Sequence, residues 1–172
     1  MLGIVQPLTE LETYVSLLRL RRQEVSAVLR GVSPEGLNWL PVQHASGQPK
    51  VSNSLYQLAN HCIVTEADWR RHIAFRIGAL SAEELAAQVE HGDLEVSGDD
   101  PAPLLGRILR DGDVTDRLIV SLTHAQLDLT WLNARGERRG VRWIIGHLIA
   151  HYGEHIGQMA LTSQLWEAGR KM

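Results

Sequence analysis

The stretch Val141-Arg-Trp-Ile-Ile-Gly-His147-Leu-Ile-Ala-His151-Tyr-Gly-Glu-His155-Ile-Gly-Gln-Met159 decides how the rest of the chain is read. Val141, Ile145, Leu148, Tyr152, His155, Met159 and then Trp166 recur at helical steps, which predicts an amphipathic helix opening near Val141. His147, His151 and His155 ladder along it at four-residue intervals. Positions i and i+4 lie one turn apart on the same face, so two neighbouring imidazoles can reach one ion. Histidine beside a core-facing stripe is costly unless a partner satisfies the ring nitrogens.

Working back from this helix, Asn133-Ala-Arg-Gly-Glu-Arg-Arg-Gly140 reads as a turn-rich connection, with at most a short strand pair around residues 127–132. Asp100-Pro101 opens a third helix, because aspartate caps and proline suits the first helical position. Leu104, Ile108, Val114 and Leu118 carry it to about residue 122. Residues 82–100 are acidic and polar, with a short helical possibility over 82–89. Upstream, Ser52, Asn53 or Ser54 caps a second helix, in which Leu55, Leu58, Cys62, Trp69 and Ile73 keep helical spacing to about Gly78. Residues 32–52 are rich in proline and glycine and read as a loop. Thr9 and Glu12 form a capping box ahead of Leu11, Val15, Leu18, Val25 and Leu29, and Gly31 is a stop signal. The expected architecture is all-α: one domain over residues 1–172, a four-helix bundle with long connecting loops.

Bulk composition narrows the function classes. The chain has 172 residues, 44% hydrophobic and 22% charged, which is ordinary for a globular protein and long enough for a substantial core. A formal net charge of −3 gives no electrostatic reason to expect nucleic acid or an anionic membrane as partner. The basic clusters at residues 19–22 and 135–139 read as a solvated helix face and a loop. One cysteine, Cys62, excludes an intramolecular disulfide and reads as a small buried hydrophobe. No signal peptide or membrane span is recognised, so the expectation is a cytoplasmic protein.

Of the eight histidines, His44, His91 and His124 fall in expected loops and His72 near the polar end of the second helix. His61 borders the apolar face of that helix, one turn after Leu58. Helix bundles build metal sites from side chains on facing helices, and three neutral imidazoles plus one open position suit a catalytic ion. His61, His151 and His155 supply such a set, with His147 as a competitor within the ladder. The opposing reading is that these rings are packed and hydrogen-bonded without metal. His151-Tyr-Gly-Glu-His155 also fits the His-x-x-Glu-His string of inverted zinc proteases. That chemistry needs a further carboxylate ligand, and Glu167 is the sole carboxylate beyond His155, so the string reads as coincidental. Glu154 reads as a surface residue.

The run His147-Leu-Ile-Ala-His151-Tyr-Gly-Glu-His155-Ile-Gly-Gln158 resembles the last-helix signature of the DinB-like superfamily, which includes the YfiT-like proteins. Ser54-Leu-Tyr-Gln-Leu-Ala-Asn-His61-Cys-Ile-Val-Thr-Glu66-Ala-Asp-Trp69 resembles its second-helix segment, and Leu37-Asn38-Trp39-Leu40-Pro41 its preceding loop. The resemblance implies an up-down-down-up bundle, often dimeric, holding zinc or nickel on His61, His151 and His155. It also implies a low-molecular-weight thiol as cosubstrate and S-transfer or isomerisation as the reaction. Two departures, Glu154 where the family commonly has histidine and Ile156 where it has arginine, change the charge of the pocket. The functional expectation is a metal-dependent transferase or isomerase, or a hydrolase, acting on a small molecule, the metal activating a thiol or water; the alternatives are a non-enzymatic, stress-related metal-binding module and a metal-free bundle.

Overall fold

The computed structural model of the protein describes residues 7–42, 52–87 and 94–170. His44, His91 and the far end of the short helix expected over 82–89 lie outside the described residues. In chain order the elements are α1 (Glu10–Leu29), α2 (Pro34–Asn38), α3 (Leu55–Arg76), α4 (Ala82–Ala86), α5 (Ala102–Ser121), α6 (His124–Leu127), β1 (Thr130–Leu132), β2 (Arg138–Gly140) and α7 (Val141–Gly169).

The long helices begin where their side chains can satisfy free backbone N–H groups. Thr9 and Glu12 close a full capping box on α1, and Ser54 and Gln57 do the same for α3. Asp100 Oδ1 accepts from the Ala102 N–H at 2.8 Å, so the expected cap acts two residues before the assigned start of α5. Gly31 and Gly78, just beyond α1 and α3, adopt positive φ, which glycine takes without a Cβ penalty. Gly140 enters α7 at a different constraint: a Cβ there would stand 2.9 Å from the Leu129 carbonyl oxygen.

Pairings between α1, α3, α5 and α7 give the topology. Glu10 meets Arg142 and Arg21 lies against Gly153, so α1 and α7 run parallel. His61 meets His155 and Trp69 meets Trp143, so α3 opposes α7. Asn60 meets Arg107 and Arg70 meets Thr115, so α3 and α5 are parallel. Arg22 meets Asp116 while Arg30 shares a cleft with Ile108, so α5 opposes α1. The bundle is therefore up-down-down-up, with α1 facing α3 and α5 facing α7 across the diagonals. Parallel neighbours force the chain between α3 and α5 to return along a bundle about 30 Å long, which explains the long crossover. Asn38 holds that crossover through two bonds, donating to the Gly98 carbonyl and accepting from the Gly98 N–H.

One apolar core runs through the bundle, with Leu18, Leu29, Leu58, Ile63, Ile119, Ile144, Ile145 and Tyr152 fully buried. Each such aliphatic side chain contributes about 1.5–3 kcal/mol relative to exposure.

Several expectations need correction. Residues 34–38 form the short helix α2, capped by Ser33, where a loop was expected; five residues are too few to show a helical period. β2 forms inside the expected turn-rich connection and pairs antiparallel with β1. Val114 is exposed, because the inward face of α5 runs through Leu104, Ile108, Gly112, Thr115, Asp116 and Ile119. His124 begins α6, still exposed as expected. Cys62 and Glu154 also match, one buried and the other on the surface. No helix among the described residues is long and apolar enough to cross a membrane.

Candidate metal centre

The antiparallel seam of α3 and α7 brings His61, His151 and His155 together. His151 Nε2 lies 3.1 Å from His61 Nε2 and 3.1 Å from His155 Nε2. One nitrogen from each ring falls within 4.8 Å of the others, and all three side chains are half-buried. Tetrahedral Zn–N bonds of about 2.0–2.1 Å would set ligand nitrogens about 3.3–3.4 Å apart, close to these separations. Among the described residues this is the one such convergence of histidine, cysteine and carboxylate groups.

Proton bookkeeping supports a cation at this point. His155 Nδ1 lies 2.9 Å from Gln158 Oε1, so Nδ1–H donates and the neutral ring presents a bare lone pair at Nε2. That lone pair faces His151 Nε2, which can carry one hydrogen and has a second ring nitrogen equally close. A shared positive ion satisfies all three at once, and the donor set fits a divalent transition metal.

His147 does not join the group. Its ring stacks on Trp143 at 4.8 Å and 8° and meets the Trp69 ring edge-on at 5.5 Å, while the Arg139 guanidinium lies over the Trp143 ring at 4.1 Å. Burial, then the Arg139 cation, lowers its pKa. His72 continues this aromatic wall, 5.4 Å from Trp69 and 3.6 Å from the Asp68 carboxylate. Cys62 is buried beside His61, and burial, then Glu66, pushes its thiol up to about 12, so it remains protonated.

Behind the histidines lies a charge network that the sequence reading missed. Arg22 donates to both oxygens of Glu66, at 3.0 and 2.7 Å, and to Asp116 Oδ1 at 2.8 Å. Arg19 donates to the other Asp116 oxygen at 2.6 Å, and the Tyr152 hydroxyl donates to Glu66 Oε2 at 2.7 Å. Burial opposes the Arg22 cation, but the bonds and charges of Glu66 and then Asp116 outweigh it and raise its pKa. Burial, then Glu66, holds Tyr152 in its protonated form. The basic cluster at 19–22 is thus not wholly a solvated face, since Arg22 is 6% exposed. The signal was its place at Leu18-Arg22-Val25-Leu29, a charge inside an apolar helical stripe.

The sequence model of the DinB superfamily matches residues 17–159. The chain belongs to the DinB superfamily. The solved structure of YfiT from Bacillus subtilis aligns with a TM-score of 0.66 at 14% identity, covering 95% of this chain and 94% of YfiT. YfiT is described as a probable metal-dependent hydrolase with an unusual four-helix bundle topology, and the likeness establishes the shared fold. No curated protein matches the chain.

Proposed function

We propose that the protein is a metal-dependent enzyme acting on a small molecule, with zinc or nickel held by His61, His151 and His155. The observation that carries this reading is the pair of 3.1 Å Nε2 separations on facing helices. Three protein donors leave a coordination position for water or substrate, whereas a closed structural site takes four. An ion here supplies Lewis acidity and lowers the pKa of the water or thiol it binds, and three neutral imidazoles leave its charge undiminished.

The chain's own residues supply the frame. Gln158 fixes the tautomer of His155, and α3 and α7 hold the rings on two rigid elements rather than on loops. The Trp69–His147–Trp143 wall flanks one side of the site, with the His147 ring 5.8 Å from that of His151. The Cys62 thiol is buried, so the thiol in the proposed chemistry is a free low-molecular-weight one and not this side chain. S-transfer or isomerisation with such a thiol is supported by the family resemblance, and hydrolysis by the description of YfiT. The family resemblance also supports a homodimer, and the sequence reading supports a cytoplasmic location.

Elemental analysis of the purified, tag-free protein tests the core of this reading. About one first-row transition ion per chain is expected. Absence of metal after incubation with zinc and nickel would overturn it. With metal present, matched assays for ester or amide hydrolysis and for thiol consumption separate the reaction classes.

A further inference from the structure

The buried network and the histidine site share two helices. On α3, Glu66 follows His61 by five residues, about 7.5 Å along the axis. On α7, Tyr152 is the residue next to His151, and adjacent helical positions point about 100° apart. Tyr152 is buried in the core, and His151 meets His61 across the seam with α3. The two crossings, His61 to His151 and Glu66 to Tyr152, span the same helix pair at different heights and in different directions.

The second crossing is rigid. Glu66 accepts three bonds: two from the planar Arg22 guanidinium and one from the Tyr152 hydroxyl. Arg22 is anchored in turn to Asp116, so the frame ties α1, α3, α5 and α7 to one point. A seam made only of aliphatic contacts would resist rotation of α7 far less, because dispersion has little directionality.

We propose that Tyr152, acting through Glu66 and Arg22, is a positioning residue for the three-histidine site, fixing the rotation and register of α7 against α3. The proposal rests on the metal-centre reading above. It makes the tyrosine hydroxyl, which donates to Glu66, a determinant of metal affinity and coordination geometry.

The test compares tag-free wild type, Tyr152→Phe and Ile63→Val, using cobalt(II) as the probe. Tyr152→Phe keeps the ring and leaves Glu66 with both Arg22 bonds, so the bundle retains its partners. Ile63→Val trims the buried face of α3 without touching the network and serves as the control for lost packing. The expected result is cobalt(II) affinity about tenfold weaker in Tyr152→Phe, with altered d–d absorption bands, and both unchanged in Ile63→Val. Wild-type affinity and spectrum in Tyr152→Phe would overturn the proposal, as would equal losses in both variants. A wild type that binds no cobalt(II) would instead sink the metal reading itself, and the positioning role with it.

Discussion

At His151 Nε2 two other ring nitrogens approach to 3.1 Å, which makes this side chain the hub of the site. His151→Ala removes the hub and should abolish stoichiometric metal binding while leaving the helical circular-dichroism signal intact. His147→Ala, one turn away, should keep a full complement of metal; loss of metal there would mean that the wrong rungs of the ladder have been chosen. His147 has its own signature in pH. Its pKa lies below the ordinary 6.5 because burial, and then Arg139, disfavour the charged ring, with Glu154 opposing more weakly. The unfolded chain therefore binds a proton there more readily than the folded chain, and stability rises with pH through this window. The His147 contribution is complete above about pH 6.5 and is lost as pH falls below it. An NMR titration of the metal-free protein should give His147 a midpoint below 6.5, and a midpoint above it would contradict the packing seen against the two tryptophans.

At the scale of elements, the contact of α1 with α5 depends on a missing side chain. A Cβ on Gly112 would stand 2.8 Å from Arg22 Cδ and Nε and 3.0 Å from Cζ. Alanine gains about 1 kcal/mol over glycine in a helix interior. Overpacking a site whose neighbour cannot yield costs about 1–3 kcal/mol, and Arg22 cannot yield while Glu66 and Asp116 hold it. Gly112→Ala should therefore lower the urea midpoint, although helix propensity alone predicts a rise. A raised midpoint would show the guanidinium to be looser than its bonds suggest. Cutting the same network at Arg22 is a larger insult. Arg22→Leu leaves the buried Glu66 without its cation and Asp116 with Arg19 alone, and should cost about 3–5 kcal/mol in chemical denaturation.

Across the whole molecule, the proposed metal site would link ion binding to the fold through the α3–α7 seam, since an ion that binds only the assembled site stabilises the folded state by mass action. At free metal about a hundredfold above Kd the gain is about 2.7 kcal/mol, or roughly 5–10 °C in Tm for a chain this size. Calorimetry with and without chelator should show that shift, and coincident transitions would indicate no folding-coupled site. Much of this architecture was legible in the chain. The Thr9 and Ser54 caps, the apolar steps of α1, α3 and α7 and the four-residue histidine spacing are local signals, written within a few turns of one helix. The same local rule failed at Arg22 and Val114. Val114 falls off the inward face of α5 and is exposed, while Arg22 lies in the apolar stripe of α1 and can be buried there only because distant partners meet it, Glu66 across 44 residues of sequence and Asp116 across 94. The choice of His151 and His155 over His147 is of the same kind, because all three share a spacing and only the opposing helix presents His61 to one pair and Trp69 to the other. Helix formation is settled by neighbours in sequence, whereas the state of a buried charge or an imidazole is settled by whatever packing places against it.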